Sequence, residues 1–312
     1  MSRSPRAPGA RSPAEGRGGA AAFIARKAKA LDASLAKAIR RVMTNADGEA
    51  LHDMRVAIRR LRTVLRLARP IYGSYRTSAV RRAFTVVQSK TGDLRDEEAL
   101  AETFDGLSLD DPAFTEWRAR RKGREKRLRA AVTSRLRAGD LTLARRLLRA
   151  LLLLPVRPSR DTALDRFARR TVNRSRKRVD AMRDVPTSDV EQMHRLRIRY
   201  KELRYSAEIF AEALPLDLAA LAPPAARFQK RLGDIHDIDT ALDALSRARG
   251  LPPETSARVA AALVEVRARK AKKYLDDMAP TRSNGPLPEP VDSVQRPRQA
   301  VGSVALRKIS TF

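Results

Sequence analysis

The chain has 312 residues, and its 65 Lys and Arg outweigh 36 Asp and Glu to give a net charge of +29. Hydrophobic residues make up 43 %, enough for a core, which excludes a wholly disordered chain. Cysteine is absent, which excludes disulfides, thiolate zinc sites and cysteine nucleophiles together.

Residues 1–20 are rich in Gly, Pro, Ser and Arg without periodicity and read as a disordered tail. No apolar run follows this positive start, so no secretory signal is expected. The longest apolar stretch, Leu147 to Val156, is broken by Arg149 and falls short of the roughly 18 residues a membrane span needs. A cytoplasmic location fits this composition. Residues 21–280 read as a single all-α domain, dominated by Ala, Leu, Arg and Glu. Breaks near Asp47, Pro70, Pro112, Gly139, Pro155 to Pro158, Pro186, Pro215, Pro223 to Pro224 and Pro252 to Pro253 divide it into about nine helices. Pro155-Val156-Arg157-Pro158 separates half one, residues 21–155, from half two, residues 159–280. Residues 281–312, with Pro286, Pro288, Pro290 and Pro297, read as a second disordered tail.

One pattern occurs in both halves. His52, Arg55, Arg59 and Arg62 have the spacing of His194, Arg197, Lys201 and Arg204. Gly92-Asp93-Leu94-Arg95-Asp96 follows the first set much as Gly233-Asp234-Ile235-His236-Asp237 follows the second, with Gln88 and Gln229 each four residues ahead of the glycine. Two motifs repeated in order imply an internal duplication and a pseudo-two-fold pair of helical-bundle halves.

The spacing of each His-Arg set puts all four residues on one helical stripe. A neighbouring apolar stripe is Leu51, Met54, Ile58, Leu61 and Leu65 in half one. In half two it is Met193, Leu196, Tyr200, Leu203, Ala207 and Phe210. Each helix is thus expected to bury one face and to present a line of cations beside it. In half one that line runs on to Arg66 and Arg69, and His52 to Arg66 covers about 21 Å. In half two Glu208 stands where Arg66 does, giving a shorter line or one with a built-in partner. Ser188 and Glu191 form a capping-box pattern, and Asp47 is a plausible cap for the first helix. Both histidines then lie in the first turns, where the helix dipole favours anions.

A charge this large calls for a polyanionic partner: nucleic acid, an anionic membrane surface or polymeric phosphate. A GC-rich coding bias would raise Arg and Ala together but would not place the arginines in matched stripes. Repulsion along such a stripe weakens a helix, so its repetition points to anion binding rather than to a solvated face. The three histidines, His52, His194 and His236, could donate to phosphate, act as a general base or hold a metal. The surrounding arginines disfavour the metal, and the donor reading predicts binding that strengthens as pH falls through about 6.5. Asp93, Asp96, Asp234 and Asp237 could hold Mg²⁺ or could orient the arginines. The second reading is preferred. Phosphate-binding loops, dinucleotide fingerprints and nucleophile elbows are absent. No aromatic cluster accompanies the basic stripes, which argues against stacking on single strands.

At these residues the sequence resembles the CHAD family, the conserved histidine α-helical domain. The resemblance rests on His52-x-x-Arg55-Val56-x-x-x-Arg59-Arg60-x-Arg62, on His194-x-x-Arg197-Ile198-x-x-Lys201-x-Leu203-Arg204-Tyr205, and on Leu232-Gly233-Asp234-Ile235-His236-Asp237. It implies two related helical halves around a basic central cavity, and binding of inorganic polyphosphate, in some members at polyphosphate granules. The implied ligands are His52, Arg55, Arg59, Arg60, Arg62, His194, Arg197, Lys201 and Arg204, and Arg66, on the continuation of the first stripe, is expected to join them. Asp93, Asp96, Asp234, Asp237 and His236 are expected to orient them. Glu202 stands at the counterpart of Arg60, and Thr91 at the counterpart of Leu232. Some relatives carry a triphosphatase domain with a Glu-x-Glu-x-Lys motif, which this chain lacks. A non-enzymatic protein without cofactor or resident metal is therefore expected. Nonspecific nucleic-acid binding and a Mg²⁺-dependent phosphoanhydride hydrolase are the rival readings.

Overall fold

Helix formers, punctuated by Pro and Gly, produce helices in the order the sequence implies. The computed structural model describes residues 19–283 except 45, 48 and 157–161. Residues 1–18 and 284–312 of the expected tails, and part of the Pro155 to Pro158 boundary, lie outside these residues. Ala20 already belongs to the first helix and residues 281–283 to the last, so the helical region begins earlier and ends later than the expected 21–280. The described residues form α1 (Ala20–Met43), α2 (Ala50–Leu67), α3 (Arg69–Tyr72), α4 (Ser74–Lys90), α5 (Gly92–Asp105) and α6 (Pro112–Arg137). There follow α7 (Thr142–Leu153), α8 (Leu164–Asp180), α9 (Val190–Phe210), α10 (Leu216–Ala219), α11 (Ala222–Ser246) and α12 (Pro253–Ser283), with a 3₁₀ turn at Ala211–Ala213. The fold is all-α. Extended pairing among the described residues is limited to one bridge between Gly19 and Ala163. No described helix is long and apolar enough to cross a membrane.

The prolines sit where a missing N–H costs least. Pro112, Pro223 and Pro253 fall in the first turn of α6, α11 and α12. Gly139, at φ 91°, turns the chain between α6 and α7. There are more helices than the nine expected, because α3 and α10 are single turns and because the chain breaks at Thr91 between α4 and α5.

Both apolar stripes are buried in full. In half one, α1, α2, α4 and α7 surround the first core, centred on residues such as Ile58, Leu61 and Phe84. In half two, α8, α9, α11 and α12 surround the second, with Leu196, Tyr200 and Phe228. A third cluster joins α5 and the start of α6 to the end of α11 and the start of α12, around Phe104, Trp117 and Leu263. There Asp111 caps α6, accepting from the Phe114 N–H at 3.0 Å, and also accepts from Thr255 at 3.0 Å and from Arg258.

Candidate anion-binding cavity

α2 buries its apolar stripe in the first core and α9 most of its stripe in the second, and the two helices bring their cationic stripes face to face. α9 begins at Asp189, whose Oδ1 accepts from the Gln192 N–H at 2.9 Å. This carboxylate, and not Ser188 of the expected capping box, is the cap, because α9 starts one residue later than that pattern assumed. Asp47 is held by Arg41 at 2.6 and 2.8 Å. That pair lowers its pKa first, and the Ala50 and Glu49 N–H groups at the start of α2 add to the effect.

Between the two helices lies a cavity of about 180 Å³, lined by Arg59, Arg62, Arg66, Arg81 and Lys201 with Glu202 as the one lining carboxylate. Burial, and then the charges of Arg197, Arg59 and Arg62, push the Lys201 ammonium down to about 8. Burial likewise lowers Arg55, Arg62, Arg66 and Arg197, with neighbouring cations adding to each. Buried Nε atoms of Arg59, Arg62 and Arg197 have no partner among the described residues. The site therefore holds more positive charge than its own carboxylates balance, and an anion would supply the missing partner.

The remaining motif residues divide by role. Arg55 donates to the carbonyl of Thr91 and, at 2.6 Å, to its hydroxyl, so it closes the end of α4. Arg62 donates to Gln88 Oε1 at 2.6 Å. Its counterpart Arg204 pairs with Glu208 at 2.6 Å and lies over the Tyr205 ring. Arg66 pairs with Glu202 at 2.7 Å, and Arg60 with Glu208 at 3.6 Å. These two pairs cross between the halves and are reciprocal: each joins an arginine at one of the two repeat positions to a glutamate at the other. Glu208 is thus the built-in partner its position suggested.

The histidines separate. His52 is exposed on α2, whereas the His194 and His236 rings lie with centroids 4.4 Å apart, tilted by 49°. Burial first, then Arg197 and His194, push His236 down to about 4. Burial, Arg197 and Lys201 lower His194. His236 is therefore neutral at pH 6.5, and His194 shifts in the same direction, so the protonation expected near 6.5 moves to lower pH in the protein alone. Among the described residues no three His, Cys, Asp or Glu side chains are grouped to hold a metal ion.

The aspartates also differ. Asp234 pairs with Lys270 at 3.3 Å. Asp237 is half-buried, and burial raises its carboxyl against the lowering pull of Arg197 and Arg95. Asp93 and Asp96 lie towards solvent, and Asp96 acts on Arg55 only through its field. The buried carboxylate of that segment is Glu97, 4 % exposed and held by Arg121 at 2.8 Å. Sequence reasoning missed Arg81 and Arg95, which arrive from α4 and α5, and Tyr205, whose ring lies under Arg59 and Arg204.

Fold and cavity together define an all-α protein that gathers half-buried arginine and lysine around one cavity between α2 and α9. The model of the CHAD domain family matches residues 27–246, and the chain belongs to that family. The crystal structure of the CHAD domain from the plant Ricinus communis is similar at 21 % identity and a TM-score of 0.65, over 84 % of this chain and 92 % of that one. PptA from Streptomyces chartreusis is similar at 15 % identity and a TM-score of 0.63, over 85 % and 100 %. No curated protein matches the chain.

Proposed function

We propose that the protein binds inorganic polyphosphate in the α2–α9 cavity without turning it over, and that it does so in the cytoplasm at polyphosphate granules. The observation that carries this reading is the cavity itself, where five cations surround one carboxylate. The association of the family with polyphosphate supports the choice of anion. A flexible polyanion can enter such a space, whereas a duplex about 20 Å across meets only the outer surface. Arg59, Arg62 and Lys201 supply charge-assisted contacts. Arg55 and Gln88 hold the elements that present them.

The test is a competition titration at physiological salt, in which labelled long-chain polyphosphate is challenged with duplex DNA, single-stranded RNA and triphosphate. Polyphosphate should survive an excess of either nucleic acid. The R59A/R62A/K201A variant should lose more than about a hundredfold in polyphosphate affinity and only a few-fold in DNA affinity. Displacement by DNA, phosphate for phosphate, would instead establish the nucleic-acid reading. Phosphate release in the presence of Mg²⁺ would establish the hydrolase.

A further inference from the structure

A second cationic row lies outside the matched stripes. On α8, Arg170, Arg174 and Arg178 are spaced four residues apart, so they share one face and span about 12 Å. All three are exposed. They line a groove of about 350 Å³ whose opposite wall carries Arg66 and Arg69 at the α2–α3 corner. No carboxylate lines this groove. Arg170 and Arg174 form no ion pair among the described residues, and the Arg69 Nε is buried without a partner. Like charges at this spacing weaken α8, and of the three only Arg178 has an ion-pair partner among the described residues, Glu202 at 3.6 Å.

The groove adjoins the central cavity. Arg66 lines both spaces. Glu202, which lines the cavity, pairs with Arg66 at 2.7 Å and reaches Arg178 in the groove at 3.6 Å. One carboxylate therefore sits at the junction and pairs with a cation on each side. An anionic chain long enough to fill the cavity and emerge past Arg66 meets Arg178, then Arg174, then Arg170.

Resting on the polyphosphate reading above, we infer that the α8 groove is an extension site that holds the part of a long polyphosphate chain leaving the central cavity. It makes binding depend on chain length. A short oligophosphate is held by Arg59, Arg62 and Lys201 alone, and a long one also engages the α8 row.

The experiment compares tripolyphosphate with long-chain polyphosphate by calorimetry on the full chain, for the wild type, R170A/R174A and the charge control K122A/R146A. All four replaced residues are exposed, so the fold is expected to persist, and circular dichroism checks this. R170A/R174A should bind long chains about five- to tenfold more weakly and tripolyphosphate within about twofold of wild type. Its salt slope for long chains should be shallower by roughly 0.7 for each phosphate that the missing arginines no longer neutralise. The control should keep the wild-type ratio of long to short affinity. An unchanged ratio in R170A/R174A, or an equal loss in the control, would overturn the extension site while leaving cavity binding intact. Failure of the wild type to bind either chain would overturn the polyphosphate reading itself, and the extension site with it.

Discussion

At the scale of single residues, the site is set by what neighbouring charges do to each other. Lys201 ionises at about 8 because burial and three arginines disfavour its charge. A bound polyanion reverses that, so its pKa rises on binding. Polyphosphate affinity is then at full strength below about 8 and declines as pH rises from there to the bound-state value. The ligand-free fold shows the opposite trend. Unfolded Lys201 holds its proton to about 10.5, so stability rises between about 8 and 10.5. His236 acts at the acid end. Its folded pKa of about 4 lies below the ordinary 6.5, so stability is full above 6.5 and is lost as pH falls towards 4. Affinity measured from pH 4 to 10 should fall on the alkaline side, and K201Q should flatten that limb. An alkaline limb that persists unchanged in K201Q would contradict the role given to Lys201. Glu202 gives a second test. It is 17 % exposed and holds Arg66 at 2.7 Å, with Arg199 and Arg178 nearby at 3.3 and 3.6 Å. E202Q should strengthen polyphosphate binding several-fold, because an internal competitor is gone. It should also cost about 1–3 kcal/mol in urea denaturation, because three arginines lose their anion. Weaker binding with unchanged stability would mean that Glu202 positions the ligand rather than competing with it.

At the scale of elements, the two copies of the motif fold differently. In half two α11 runs straight through Gly233, whose missing side chain leaves room for Arg197. A Cβ there would meet the Arg197 Nε at 3.6 Å. In half one the helix stops at Thr91, whose hydroxyl bonds to the Gln88 carbonyl at 2.8 Å while its own carbonyl takes Arg55. The Thr91 departure is visible in the sequence, but its consequence is not, because the break depends on an arginine 36 residues earlier in the chain. The apolar stripes of α2 and α9 were legible because helical period alone assigns their faces. Arg81 was not, since no local pattern says which other helix will face the cavity. The spacing at Gly233 carries its own prediction. A separation of 3.6 Å is ordinary van der Waals contact, and Gly in a helix interior costs about 0.5–1 kcal/mol relative to Ala. G233A should therefore raise the midpoint of thermal unfolding and leave affinity within about twofold. G233V, which extends the side chain towards Arg197, should weaken binding. A destabilised G233A would show that the glycine serves backbone bending instead.

At the scale of the whole molecule, the halves are joined by core as well as by charge. The reciprocal pairs Arg66–Glu202 and Arg60–Glu208 are contacts of the kind a two-fold relation between α2 and α9 would generate. The first core also crosses the Pro155 to Pro158 boundary, for it includes Leu164, Ala168 and Phe210. Phe210, at the end of α9, is wholly buried. It stacks on Phe23 of α1 at 5.4 Å and meets Phe167 of α8 edge-on at 5.7 Å. The periodicity of α9 marks Phe210 as apolar but cannot say which half it will serve. The cavity lies between the halves, so its geometry depends on their staying docked. Phe210→Ala removes a ring from the shared core and should cost about 3–5 kcal/mol. With the core continuous, calorimetry of the wild type should show one unfolding transition, and the variant should shift that transition as a whole. Polyphosphate, which bridges α2 and α9, should restore part of the lost stability, increasingly so as its concentration rises. Two resolved transitions, with only one moved by the variant, would show that each half folds alone and that charge pairs are all that align the cavity walls.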